Sequence, residues 1–201
     1  MSNLQETLNT NKQSHLSAFV QNERLKSQLE SLDWLELNDA ISQCVVVKGA
    51  AAIPQNYEPA PYYPLIAEDD QQAKLYQQAA ALGEEILATG KVAAFTVAGG
   101  QGTRLGFDGP KGTLSVSPIK NKSLFQLFAE QIFGRSEKFN VEMPWYIMCS
   151  PLNHDATKSF FVENAFFGLK ADNVKFFIQG VMPATDFDGQ LLRASEDSLA
   201  F

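Results

Sequence analysis

The sequence predicts an α/β protein with a mostly parallel sheet, preceded by a helical segment. Three short apolar runs, at residues 92–98, 145–149 and 174–178, are typical of strands buried on both faces. They alternate with stretches in which apolar residues recur at helical spacing, and a glycine-rich loop directly follows the first run. This order indicates a parallel sheet with right-handed crossovers. Such sheets bind ligands beyond the carboxyl ends of their strands.

The composition is that of an ordinary globular protein. Of the 201 residues, 45% are hydrophobic and 19% are charged, which allows one domain with a sizeable core and a smaller appendage. The net charge of −7 argues against nucleic acid or an anionic membrane surface as the main partner. We expect neither a signal peptide nor a membrane-spanning helix, because no apolar run has the required length. The composition does not decide the oligomeric state.

The two cysteines, Cys44 and Cys149, are far apart in the sequence and form no Cys-x-x-Cys pair. A disulfide or a zinc site is therefore not expected, and a cytoplasmic location is. Cys149 falls at the end of the second predicted strand, where we expect a buried structural thiol.

Residues 1–66 are predicted to form an N-terminal helical segment and a proline-rich connector. Asp33, with Glu36 three residues later, resembles a capping box that begins a helix, and His15 is interpreted as a surface residue. Four prolines between residues 49 and 67 predict an extended path along the surface. The apolar residues expected to form a small helical core are Leu16, Phe19, Val20, Leu25, Leu29, Leu32, Leu37, Ile41 and Val45.

Two long helices are predicted on either side of the first strand. The first covers residues 68–89 and ends at Gly90. The second begins at Ser123, which forms a capping box with Gln126, and ends at Gly134. Their apolar faces comprise Leu75, Ala79, Leu82 and Ile86 in the first helix, and Leu124, Leu127, Phe128 and Ile132 in the second.

A third helix follows the second strand, and a hairpin follows the third. Asn153 or Asp155 is expected to cap the helix. Asp188-Gly189 predicts a hairpin turn that leads into residues 191–194, and a second turn at residues 196–197 leads into the last segment.

The loop from Gly99 to Gly112 is the candidate ligand site. Glycine lets the backbone come very close to a ligand. Arg104 and Lys111 lie in this loop, and exposed backbone amides beside fixed positive charge suit a polyphosphate. In an acidic chain these two cations concentrate positive charge locally.

Two familiar phosphate-binding loops do not fit this stretch. A P-loop requires Gly-Lys-Ser/Thr at the start of a helix, whereas Lys111 lies between a proline and a glycine. A dinucleotide fingerprint requires Gly-x-Gly-x-x-Gly, whereas Gly100, Gly102 and Gly106 contain one spacer too many. The phosphates would therefore be held by a long loop and by side chains, which favours phosphoryl-transfer chemistry over cofactor binding.

The stretch Ala98-Gly-Gly-Gln-Gly-Thr-Arg-Leu-Gly106, followed three residues later by Pro110-Lys-Gly112, resembles the signature loop of the uridylyltransferases that make UDP-sugars. It is most similar to the UDP-N-acetylglucosamine pyrophosphorylase branch, since the UDP-glucose branch typically has Gly-Leu-Gly-Thr-Ser-Met-Gly there. The resemblance is clearest after residue 92. It continues through Leu124-Phe-Gln126, Ser150-Pro-Leu-Asn153, Phe166-Phe-Gly-Leu169, Gln179 and Asp186-Phe-Asp-Gly189.

The resemblance implies a Rossmann-like fold of the nucleotide-diphospho-sugar transferase type over residues 67–201. The implied reaction is attack of a sugar-1-phosphate on the α-phosphorus of UTP, with pyrophosphate leaving. Arg104 would stabilise the departing pyrophosphate and Lys111 would contact the α-phosphate region, so both are candidate catalytic residues. The candidate UTP-binding residues are Ala98, Gly99, Gly100, Gly102, Thr103, Arg104, Lys111 and Gln179, the last near uracil.

The resemblance also implies a requirement for Mg²⁺, with ligands expected downstream of residue 201 and none assigned within this chain. A sheet of three or four strands is short for an α/β domain. We therefore expect the chain to be the N-terminal part of a longer enzyme, and to be inactive by itself.

Two pairs of polar residues invite other interpretations. His154 and Asp155 could form an acid–base pair, but neighbouring side chains on a helix are expected to point apart, so we assign them to the helix N-terminus. Asp186 and Asp188 resemble a metal-binding Asp-x-Asp, but the glycine after Asp188 favours a turn.

Two alternatives to UDP-N-acetylglucosamine synthesis stay open. The same chemistry could act on glucose- or galactose-1-phosphate, because the residues that read the sugar are expected downstream of this chain. The alternative from another class is a nucleotide-binding or interaction module without catalysis.

Overall fold

A computed structural model describes residues 2–46 and 54–201, so the start of the predicted connector, residues 49–53, lies outside the described residues. The chain forms two compact units. One consists of Met1–Pro59 together with Gly180–Phe201, and the other of Ala60–Gln179.

The first unit is built from short helices and a terminal pair of strands. The helices are α1 (Ser2–Thr10), a 3₁₀ turn (Ser14–Phe19), α2 (Glu23–Glu30), α3 (Trp34–Ala40) and a π turn (Ile41–Val45). The side chain of Asp33 accepts hydrogen bonds from the backbone N–H groups of Leu35 and Glu36, which confirms the predicted cap. The strands are β4 (Arg193–Ser195) and β5 (Ser198–Leu199), and they pair antiparallel as the two predicted turns require.

The last 22 residues share a core with the N-terminal helices, which differs from the predicted division at residues 66 and 67. The buried leucines of this core are Leu8, Leu16, Leu25, Leu29, Leu37, Leu191 and Leu199. The buried Gln13 side chain ties the two segments together, because its amide donates to the Gly189 carbonyl at 3.0 Å and accepts from the Leu191 N–H at 2.8 Å. A long-range contact of this kind leaves no local pattern in the sequence.

The second unit contains a three-stranded parallel sheet in the order β1-β2-β3, which confirms the predicted fold class. The strands are β1 (Ala94–Val97), β2 (Trp145–Cys149) and β3 (Val174–Ile178). Three helices accompany them: α4 (Asp70–Ala88), α5 (Leu124–Phe139) and α6 (His154–Glu163). The core joins one face of the sheet to α5 and α6 and comprises Phe125, Ala129, Ile132, Met143, Trp145, Ile147, Cys149, Phe161 and Val174.

The expectation of strands buried on both faces is wrong for the described residues. The side chains of Phe95, Val97 and Tyr146 are 60%, 68% and 41% exposed, whereas Trp145 and Ile147 are fully buried. The apolar runs thus predicted the strands but not the burial of each face of the sheet. Burial depends on which helices or loops pack against that face.

Two helix details also differ from prediction. Gly134 does not end α5, which continues to Phe139 and ends at Asn140 in the left-handed conformation, at φ 51°. A single glycine within a helix costs only about 1 kcal/mol, less than the packing and hydrogen bonds of another turn contribute. In α4, the predicted inward residues Leu75 and Leu82 are 44% and 56% exposed, and Leu87 packs on the core instead.

Candidate functional site

The carboxyl ends of the three parallel strands bring two candidate residues, Ala98 and Gln179, to the same edge of the sheet as Ser150. Ala98 follows β1, Ser150 follows β2 and Gln179 follows β3. The Ala98 N–H donates to the Met148 carbonyl at 2.7 Å, and the Gln179 N–H donates to the Cys149 carbonyl at 2.8 Å. The sheet register therefore continues one residue beyond the strands and aligns the start of the glycine loop with Gln179.

Gly99 lies directly against the side chain of Gln179. A Cβ atom added at Gly99 would be 2.7 Å from the Gln179 Oε1 and 3.6 Å from the Ser150 N. A side chain at residue 99 would therefore displace the Gln179 amide from its present position. Gly99 and Gln179, predicted as nucleotide contacts from separate parts of the sequence, are thus neighbours in the structure.

The glycine loop closes on itself as a narrow hairpin. The Gly102 N–H donates to the Gly109 carbonyl at 2.9 Å, and the Lys111 N–H donates to the Gly100 carbonyl at 3.1 Å. A 3₁₀ turn (Thr103–Leu105) forms the far end of the loop. Closure returns Lys111 to the beginning of the loop, where it lies beside Gly100.

Gly100 and Gly102 have different surroundings. A methyl group at Gly102 would be 2.7 Å from the Phe107 ring and 2.9 Å from the Phe107 carbonyl oxygen. The backbone groups of Gly102 also bond within the loop, since its carbonyl accepts from Leu105 and Phe107. At Gly100, by contrast, the one atom within 4 Å of an added methyl is the Lys111 Nζ, at 3.9 Å, and the backbone conformation suits any residue. Packing inside the chain therefore explains glycine at residue 102 but not at residue 100.

The two loop cations are exposed and have no acidic partner. Arg104 lies in the 3₁₀ turn beside the exposed Thr103, and Lys111 begins a second short turn (Lys111–Thr113). Over residues 2–46 and 54–201, neither cation forms a salt bridge, although Lys122, Lys138 and Lys170 each do. A long cationic side chain left without a carboxylate is available to an anionic ligand.

A cavity of about 420 Å³ extends from the loop along β1. Its polar end carries Gly100 and Lys111, and the remaining wall is mostly apolar, with Phe95, Val97 and Phe128 among its residues. This volume lies in the range of small-molecule sites. Arg104 and Gln179 do not line it, so the predicted site residues do not all converge on this one cavity.

The His154–Asp155 pair differs from expectation. The His154 Nδ1 contacts the Asp155 Oδ1 at 2.8 Å, so the two side chains do not point apart. The Asp155 side chain is fully exposed, and the pair occupies the first turn of α6 as predicted.

The other polar candidates are structural. The Asp186 Oδ1 accepts hydrogen bonds from the N–H groups of Asp188 and Gln190, which confirms the predicted turn. Cys149 is fully buried as predicted, and burial raises the pKa of its thiol.

Within the described ranges, no group of three or more histidine, cysteine, aspartate or glutamate side chains is arranged to hold a metal ion. The same residues include no helix that combines the length and the apolar character needed to cross a bilayer.

Sequence reasoning missed Asn153 as part of this site. It was expected to cap α6, but no side-chain hydrogen bond caps that helix. Instead, the Asn153 side chain bonds to Ala98 and to Ser150 at the strand ends. An asparagine just before a helix gives the same sequence signal in both cases.

The sequence matches a protein family and several curated proteins. A family model described as UTP–glucose-1-phosphate uridylyltransferase matches residues 56–199. A Schizosaccharomyces pombe protein described as a probable UDP-N-acetylglucosamine pyrophosphorylase is 35% identical over 98% of this chain and 42% of its own length. The UDP-N-acetylglucosamine pyrophosphorylase of Saccharomyces cerevisiae is 38% identical over 66% of this chain and 28% of its own length.

A solved structure is also similar to this chain over most of its length. The uridine diphosphate N-acetylglucosamine pyrophosphorylase of Trypanosoma brucei superposes on 97% of this chain with a TM-score of 0.78 and 27% identity. The match covers 41% of that protein, and the chain spans 42% or less of the length of these relatives.

Proposed function

Because the chain belongs to the UTP–glucose-1-phosphate uridylyltransferase family, we propose that it binds UTP and supports its reaction with N-acetylglucosamine-1-phosphate to give UDP-N-acetylglucosamine and pyrophosphate. The two relatives described above are named as UDP-N-acetylglucosamine pyrophosphorylases, which supports N-acetylglucosamine-1-phosphate as the sugar substrate. The catalytic activity is proposed for the whole uridylyltransferase. The contacts with the nucleotide are proposed for residues of this chain.

One observation carries the proposal, which is the open space above Gly100 beside an unpaired lysine. Among residues 2–46 and 54–201, the one atom within 4 Å of an added methyl at Gly100 is the Lys111 Nζ, so packing against the described residues does not account for glycine there. A ligand whose atoms approach the backbone closely supplies the missing reason. The nearby ammonium group favours an anionic ligand, and the phosphates of UTP have that charge.

The proposed reaction forms a bond between a sugar-phosphate oxygen and the α-phosphorus of UTP, and breaks the bond from that phosphorus to the bridging oxygen of the β-phosphate. Such transfers depend mainly on positioning and on neutralising charge. Lys111 would meet the charge on the transferring phosphate, and Arg104 would bind the departing pyrophosphate as a planar fork. The backbones of Ala98, Gly100 and Thr103 would follow the nucleotide.

Gln179 is proposed to recognise the base. Its amide lies over Gly99, at the end of β3. A carboxamide donates and accepts hydrogen bonds in one plane, which matches the neighbouring N–H and C=O groups of uracil. In the orientation that pairs with uracil, the amide would place donor against donor and acceptor against acceptor in cytosine, so cytosine would be bound only if the amide turned over.

Mg²⁺ is proposed as the metal of the reaction, where it would offset phosphate charge. The described residues do not offer it a set of ligands, because the Asp186 carboxylate already accepts two backbone N–H groups within its turn. We also propose a cytoplasmic location, which the two free thiols of Cys44 and Cys149 support.

Glucose-1-phosphate is the second candidate substrate, because the matching family model is described by that sugar phosphate. Pyrophosphate release from UTP by the longer enzyme expected to contain this chain, measured with N-acetylglucosamine-, glucose- and galactose-1-phosphate in parallel, ranks the three sugars. The nucleotide half of the proposal is tested separately by calorimetric titration with UTP, CTP and ATP. We expect saturable binding of UTP with weaker binding of the other two, and equal affinity for all three would contradict the role of Gln179.

A further inference from the structure

Asn153 joins the ends of two strands through its side chain. It directly precedes α6, and its side chain is fully buried. The Nδ2 donates to the Ala98 carbonyl at 2.8 Å, and the Oδ1 accepts from the Ser150 N–H at 2.9 Å. One carboxamide therefore connects the first residue after β1 with the first residue after β2.

This use of the side chain leaves α6 without a side-chain cap. Asparagine is among the best capping residues, and a missing cap destabilises a helix. The turn is still closed by the backbone, since the N–H groups of Asn153 and His154 both donate to the Ser150 carbonyl. The side chain is thus free for a second task, and its two hydrogen bonds assign it to the strand ends.

The carbonyl held by Asn153 is where the glycine loop begins. The Ala98 N–H continues the sheet ladder to Met148, so the backbone of Ala98 is fixed on both sides. Gly99 comes next, against Gln179, and then Gly100, beside Lys111. Glycine residues have few conformational restrictions of their own, so the direction of this stretch depends on what anchors its first residue.

We propose that Asn153 is a positioning residue, which orients the Ala98 carbonyl and thereby holds Gly99 and Gly100 in the conformation that receives the nucleotide. The expected effect on UTP binding rests on the proposed function. The mechanical part of the inference, that Asn153 holds the start of the glycine loop in place, does not. Removal of the carboxamide releases the start of the loop and leaves the three strands paired.

Two variants test the proposal in the intact chain. Asn153→Ala removes both hydrogen bonds. Asn153→Asp keeps the shape and the acceptor for Ser150 but places a carboxylate oxygen against the Ala98 carbonyl, so it breaks only the bond to the loop. Thr157→Val is the matched control, because Thr157 is equally buried in the same helix and makes no hydrogen bond to the loop.

Amide hydrogen exchange measures the mechanical part without any ligand. We expect faster exchange in peptides that cover residues 98–102 for both Asn153 variants, with β2 unchanged and with no such effect in Thr157→Val. Unchanged exchange at residues 98–102 in a folded Asn153 variant would overturn the proposal.

Calorimetric titration measures the consequence for the nucleotide. We expect the Kd for UTP to rise about tenfold or more in both Asn153 variants, and to stay at the wild-type value in Thr157→Val. Wild-type affinity in Asn153→Asp would refute the positioning role even if its melting temperature falls. If the wild-type chain itself fails to bind UTP, the proposed function is wrong, and the exchange experiment still decides whether Asn153 holds the loop.

Discussion

The glycine loop (residues 99–112) and the hairpin at residues 185–191 both contain glycine at a turn. They differ in whether their polar groups find partners within the chain. In the hairpin, the Asp186 carboxylate accepts two backbone N–H groups, and Gln13 binds the carbonyl of Gly189. In the glycine loop, Arg104 and Lys111 have no acidic partner among the described residues. The hairpin satisfies these polar groups within the chain, whereas the two exposed cations of the loop stay available to an anionic ligand.

The same contrast separates individual glycines. Gly189 has φ 81°, and a methyl group there would be 2.5 Å from the Ile41 Cγ2. Gly100 has neither restriction. Glycine can therefore be required by the fold or by a ligand, and substitution by alanine distinguishes the two cases.

The largest expected effect is at Gly100. Gly100→Ala should abolish UTP binding while the apo protein loses only about 1 kcal/mol of stability, because the added methyl occupies ligand space rather than packed space. Calorimetric titration beside thermal melts measures both quantities. Gly102→Ala is the matched control and should lower the melting temperature more, since its methyl would meet Phe107. UTP binding at wild-type affinity in Gly100→Ala would mean that the nucleotide does not lie against this loop.

In the longer enzyme of which this chain is expected to be the N-terminal part, Lys111→Ala should lower kcat roughly a hundred- to a thousandfold, about 3–4 kcal/mol, with a much smaller effect on UTP affinity. The physical reason is that the lysine meets charge that builds up during transfer, whereas ground-state binding is shared among many backbone groups. Pyrophosphate release over a range of UTP concentrations separates kcat from KM. Lys120→Ala removes an exposed cation outside the loop and should leave kcat unchanged. A raised KM with a normal kcat in Lys111→Ala would make it a binding residue.

Gly189→Ala should reverse the pattern seen at Gly100. The positive φ and the contact with Ile41 predict a loss of about 1–3 kcal/mol of stability, with UTP affinity unchanged in the folded protein. Denaturant unfolding and titration test the two halves. Gly180→Ala is the control, because nothing lies within 4 Å of its added methyl and its φ is not positive. Equal stability of the two variants would remove the distinction between the hairpin and the loop.

Arg104→Lys should have the smallest effect. We expect UTP affinity to fall about tenfold, since an ammonium group keeps the charge but cannot form the paired hydrogen bonds of a guanidinium group on a phosphate. The control is Arg135→Lys, on the exposed surface of α5, which should bind UTP normally. Normal binding by Arg104→Lys would show that charge alone is needed at this position.

The sequence by itself determined the local features of this protein. Helical spacing, strand-forming runs and the caps at Asp33 and Ser123 correspond to the observed elements, and β2 and β3 match their predicted ranges. The glycine loop with its two cations was also evident, as was the turn at Asp188-Gly189. All of these depend on interactions between residues close in the chain, which is why a linear pattern contains them.

The tertiary structure decided what depends on distant partners. Only the fold shows that Phe107 occupies the space where a side chain at residue 102 would lie, whereas the space beside Gly100 is open. Likewise, the capping signal of Asn153 is overridden by hydrogen bonds to a carbonyl 55 residues away. Gln13 joins the hairpin to the N-terminal helices across 176 residues. A buried polar side chain forms hydrogen bonds with the groups that lie near it in the folded chain. Those groups are set by tertiary structure and not by closeness in the sequence.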